Sequence, residues 1–142
     1  MKDLIYEIGV VLRGAILVNR RFKEIPGKKT IAPHEDLRGS FFSAINLFVS
    51  KTYNNDALEY LESGHFLFIF KISEIKAKDY PTKEPLIFYG LVEKKKNQDK
   101  QVKSFLKIVE PLLELFLKRY NNLDFTNELY RIQDFEFELY GL

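Results

Sequence analysis

Two apolar runs hinge on Arg13-Gly14, and that hinge organises the start of the chain. Leu4-Ile5-Tyr6-Glu7-Ile8-Gly9-Val10-Val11-Leu12 precedes it, and Ala15-Ile16-Leu17-Val18-Asn19-Arg20-Arg21-Phe22 follows. Both runs are rich in β-branched residues, and a glycine turn between them predicts an antiparallel hairpin with no helix ahead of it. Residues 23–34 hold Pro26-Gly27 and Pro33, a loop longer than most connections. Such loops are either functional or tolerated surface insertions.

From Asp36 to Tyr53 the pattern changes period. Leu37, Phe41, Ile45 and Phe48 recur at spacings of three and four, flanked by Phe42, Val49 and Tyr53. This predicts a helix capped by Asp36 and ended by Asn54-Asn55-Asp56. Its opposite face carries Gly39, Ser43, Asn46 and Ser50, which are small and uncharged. Such a stripe suits close approach by another helix, although an ordinary exposed face would also accommodate it.

Ala57-Leu58-Glu59-Tyr60-Leu61-Glu62 and His65-Phe66-Leu67-Phe68-Ile69-Phe70-Lys71-Ile72 flank Ser63-Gly64, a second hairpin signal. The latter strand is apolar at nearly every position, which predicts burial on both faces in the middle of a covered sheet. Residues 73–85 form a polar connection, and Leu86–Val92 a further strand. A helix from Lys100 to Tyr120 follows, with Val102, Phe105, Val109, Leu112, Phe116 and Tyr120 on its apolar side. Pro111 inside it predicts a kink. Residues 124–142 read as an extension of the domain spanning 1–123. They fit either a short helix to Ile132 followed by a strand over Phe135, Phe137 and Leu139, or one amphipathic helix.

Composition narrows the function classes. The 142 residues include 46% hydrophobic and 15% aromatic side chains, ample for one ring-rich core. There is no cysteine, so disulfides and thiolate metal sites are excluded; this fits a reducing cytosol. No signal-peptide pattern or membrane-length apolar run is present, and the expectation is a cytoplasmic protein. A net charge of +2 is too small for a dedicated nucleic-acid binder. The charge is uneven, however. Lys94, Lys95, Lys96, Lys100, Lys103 and Lys107 form a basic stretch, and the last seventeen residues lean acidic. The basic stretch suits either plain solvation or contact with an acidic partner or an anionic membrane surface.

Catalytic signatures are missing. His34 and His65 lack metal-ligand spacing, no serine sits in a G-x-S-x-G elbow, and no glycine-rich phosphate loop occurs. The sequence therefore points away from an enzyme and gives no cofactor or metal site.

The order β-β-α-β-β-β-α, carried by Leu4–Phe22, Leu37–Tyr53, Ala57–Ile72, Leu86–Val92 and the 100–120 helix, resembles a longin-like domain of the longin, roadblock and profilin-like superfamily. Roadblock domains usually start with a helix, so longin is the nearer likeness. The resemblance implies an α/β (α+β) fold with a five-stranded antiparallel sheet in the order 2-1-5-4-3 and helices on both faces. It also implies dimer contacts through the first helix and third strand, here Gly39, Ser43, Asn46, Ser50, Leu58 and Tyr60. Longin-like domains usually serve as non-catalytic scaffolds for small GTPases or as parts of membrane-trafficking complexes. The expected partners are a second longin- or roadblock-like subunit and a small GTPase, with scope for peripheral membrane contact and none for nucleic acid. No coiled-coil segment follows, so a stand-alone scaffold subunit is expected. A PAS-like sensor shares a hairpin, helices and three strands, and is the alternative. It would need a hollow for a small molecule such as haem or flavin.

Overall fold

A computed structural model describes residues 2–24 and 57–141. The helix expected at 36–53, with Gly39, Ser43, Asn46 and Ser50, lies outside them, as does His34. A single 3-10 turn, Lys2–Leu4, precedes the first strand, so the chain does not enter the strand directly. The strands are β1 (Ile5–Leu12), β2 (Ala15–Arg21), β3 (Ala57–Ser63), β4 (Phe66–Ile75) and β5 (Glu84–Glu93). They form one antiparallel sheet in the order β2-β1-β5-β4-β3, the topology the longin resemblance implies. β1, β5 and β4 hold the centre and are buried along almost their whole length. This explains their near-continuous apolar sequence.

The β1–β2 turn places both Arg13 (φ 54°) and Gly14 (φ 76°) in the left-handed region. That is the backbone of a two-residue hairpin whose twist matches the strands it joins. Glycine adopts it freely, whereas Arg13 adopts it against a steric cost.

Side chains alternate between two buried layers. One face carries Ile8, Val10, Leu67, Ile69, Leu86, Phe88 and Val92. Helix α1 (Gln98–Tyr120) covers it with Val102, Phe105, Val109, Leu112, Leu113, Phe116 and Tyr120. Its N-cap Asn97 accepts a hydrogen bond from the Lys100 backbone N–H at 3.1 Å. The helix runs unbroken through Pro111. Gly90 lets it approach: a Cβ there would overlap the ring of Phe105, which is fully buried. The opposite face carries a second buried cluster of Tyr6, Val11, Phe68, Phe70, Ile72, Ile87, Tyr89 and Leu91.

The C-terminal segment corrects both sequence readings, since it is neither a strand nor one long helix. It forms a 3-10 helix, Leu129–Phe135, that passes into the short helix α2, Glu136–Tyr140. Both lie on the α1 face beside β2, where Ile132, Phe135 and Leu139 join the core. Phe135 packs edge-on against Phe88, Phe116 and Tyr120, with ring centroids at 6.2, 5.0 and 6.0 Å. The interior between sheet and helices on this face is thus filled with rings. Among the described residues, no helix is long and apolar enough to cross a membrane.

Candidate interaction surfaces

Among the described residues, the sheet ends at β2 on one side and β3 on the other. An edge strand presents backbone N–H and C=O groups that a further strand can pair with, unless charge or a covering segment prevents it. β2 carries Arg20 and Arg21 and has the C-terminal helices packed alongside. The Arg20 guanidinium lies between the rings of Phe22 and Tyr140, 4.4 Å from each centroid, and its Nη1 donates to the Leu139 carbonyl at 3.0 Å. β3 has no strand beyond it among the described residues. It pairs with β4 over its full length, with Tyr60 opposite Ile69 and Leu61 opposite Phe68. That register puts Tyr60 on the α1 face of the sheet, where it is 44% exposed. Leu58 lies two residues earlier, opposite Lys71.

The six lysines singled out from the sequence come together where β5 passes into α1. Lys94 follows the strand and is half-buried, while Lys95, Lys96, Lys100, Lys103 and Lys107 are exposed. Hydrogen bonds fix the segment. The Lys94 N–H donates to the His65 carbonyl at 2.8 Å, and the Lys95 N–H to Gln101 Oε1 at 2.9 Å. Gln101 Nε2 in turn donates to the Glu93 carbonyl at 2.7 Å. His65 is exposed in the β3–β4 turn.

A third arrangement was not legible in the sequence. Arg13, on its left-handed turn, forks onto two carboxylates. Its Nε and Nη2 donate to Glu84 at 2.7 and 2.9 Å, and its Nη1 and Nη2 to Asp79 at 2.8 and 3.2 Å. Asp79 also accepts from Thr126 Oγ1 at 2.6 Å and from the Phe125 N–H at 3.1 Å. The guanidinium sits over the rings of Tyr80 and Phe125. Hydrogen bonds from Arg13 hold the Asp79 carboxyl well below the usual carboxylate range, and those to Glu84 and Asp79 raise Arg13 above its ordinary value. Both carboxylates are thereby occupied by one guanidinium. The cluster fastens the β1–β2 turn, the β4–β5 connection and the segment after α1 to one another. The only signal for it in the sequence was an arginine where a hairpin turn calls for Asn or Gly.

On the opposite face of the sheet, the Tyr89 hydroxyl donates to Glu7 Oε2 at 2.5 Å, and Glu7 faces Arg21 at 3.4 Å. Burial raises the Tyr89 phenol well above its ordinary value. Its ring lies over Gly9, where a Cβ would overlap it. Among the described residues, no three His, Cys, Asp or Glu side chains are placed to hold a metal ion.

Comparison of the chain with family models, curated proteins and solved structures finds no match.

Proposed function

We propose that this chain is a non-catalytic, longin-like scaffold subunit that works as a dimer in the cytoplasm. In that role it would regulate a small GTPase or take part in a membrane-trafficking-type complex. The observation that carries the reading is the sheet order β2-β1-β5-β4-β3, which among the described residues leaves β3 at an outer edge with Tyr60 exposed. Tyr60 and Leu58 belong to that edge; the stripe Gly39, Ser43, Asn46 and Ser50, outside the described residues, is the helix seam the resemblance implies. The carboxylates of Asp79 and Glu84 are both engaged by Arg13, which favours a structural role for that cluster over a catalytic one.

Mass measurement in solution tests the reading, with and without candidate small GTPases in both nucleotide states. A dimer that a charged residue at position 43 or 60 dissociates supports it, as does a nucleotide-dependent shift with a GTPase. A strict monomer at high concentration, indifferent to every GTPase, would overturn it. A large thermal shift on adding haem, flavin or a metabolite would favour the PAS-like sensor instead.

A further inference from the structure

We infer that the lysine face at the start of α1 is a docking surface for an anionic lipid bilayer. Between positions 93 and 107 there are six lysines and only two acids, Glu93 and Asp99. Lys95 is drawn to Glu93 at 3.5 Å. Lys94, Lys96, Lys100, Lys103 and Lys107 make no ion pair among the described residues. Lys100, Lys103 and Lys107 recur at spacings of three and four, so they share one side of the helix over about 10 Å of its length.

Three observations favour a bilayer over an acidic protein or a nucleic acid. First, the array is held in place rather than loose. Asn97 caps the helix, Gln101 bridges Glu93 and Lys95, and Gln98 Nε2 donates to the Lys95 carbonyl at 2.8 Å. Second, every cation in it is lysine. No Arg, Tyr or Trp lies between 93 and 107, and the one aromatic, Phe105, is fully buried. Protein hot spots draw on Trp, Tyr and Arg, and single-stranded nucleic acid needs rings for stacking, whereas lysines act as hydrated point charges on long stems. A diffuse sheet of negative charge needs nothing more. Third, charge is segregated along the chain. From 124 to 138 there are five acids and one arginine, with Glu128 and Glu138 paired to Arg131 and Arg119, so among the described residues the unpaired positive charge is concentrated in the lysine stretch.

The inference goes beyond the scaffold reading and is read out separately, because chain mass and vesicle binding are independent measurements. The test is cosedimentation with phosphatidylcholine vesicles and with phosphatidylcholine vesicles containing phosphatidylserine. The full chain is compared with a Lys100→Gln, Lys103→Gln, Lys107→Gln triple variant. Circular dichroism verifies that the triple variant keeps its fold, as expected for three exposed positions. Binding should require phosphatidylserine, weaken as salt shortens the screening length, and fall roughly fivefold per lysine removed, or about a hundredfold for the triple variant. No binding to the anionic vesicles at low salt, equal binding to both vesicle types, or a triple variant that binds as the parent does would overturn the inference. So would tighter binding to duplex DNA than to the anionic vesicles.

Discussion

Replacing Arg13 by alanine should be among the most damaging single changes outside the hydrophobic core. The Glu84 side chain is 6% exposed and Arg13 supplies two hydrogen bonds to it, so the substitution strands a carboxylate away from water. Removing one partner of a buried pair costs about 3–5 kcal/mol. Arg13 is 32% exposed, so solvent already screens part of the pair, which brings the expected loss to roughly 2–4 kcal/mol. The backbone separates a second contribution. Arg13 sits at φ 54°, where alanine is strained and glycine is not. Arg13→Gly should therefore be more stable than Arg13→Ala by about 1 kcal/mol while still falling below the parent. Urea unfolding with both variants, Glu84→Gln and the double variant Arg13→Ala, Glu84→Gln closes a thermodynamic cycle, with unchanged m-values confirming a common unfolding reaction. A coupling of at least ~1.5 kcal/mol is expected between positions 13 and 84. A loss below ~0.5 kcal/mol for Arg13→Ala, or a coupling of zero, would refute the clamp.

The same cluster predicts an acid dependence. Asp79 is depressed in the folded state, chiefly by Arg13, so its contribution is complete above about pH 4 and is lost as the pH falls below that toward its folded value. Unfolding measured from pH 5 downward should therefore lose stability more steeply in the parent than in Asp79→Asn. Gly90→Ala should cost about 1–3 kcal/mol by forcing a methyl into the Phe105 ring, and Phe105→Leu should recover part of it in the double variant. Thermal melting reads both. Phe135→Ala should cost about 3–5 kcal/mol, because that ring is fully buried among Phe88, Phe116 and Tyr120. A melting temperature within a degree or two of the parent would contradict the docking of the C-terminal segment.

The elements legible in the sequence were those whose burial leaves a local pattern. β4 and β5 announce themselves because both of their faces are covered, and α1 because one face of a long helix repeats every three or four residues. The polar pattern over 73–85 predicts a longer connection than the structure has, since β4 runs to Ile75 and β5 begins at Glu84. Glu84 is a buried strand residue because Arg13, distant in sequence, neutralises it. No local pattern encodes such a pairing. In the tail, Phe135, Phe137 and Leu139 alternate like a strand, yet Phe135 and Leu139 are also one helical turn apart. The structure buries that pair and leaves Phe137 73% exposed. Three apolar positions at spacing two are too few to choose between the periods. Of the proposed contact residues, Tyr60 and every lysine but the half-buried Lys94 stand on exposed surface, where solvation leaves no sequence pattern to separate a binding site from an ordinary one.

The central proposal, that the β3 edge joins two copies of this chain, is tested most directly by sedimentation equilibrium of the parent and of Tyr60→Lys. The parent should have a mass of twice the 16.8 kDa chain and the variant that of one chain, with its fold retained by circular dichroism and its melting temperature at or below the parent's, because the subunit contact no longer adds to stability. A parent that stays at the mass of a single chain at the highest attainable concentration, or a Tyr60→Lys variant that dimerises as the parent does, would contradict it.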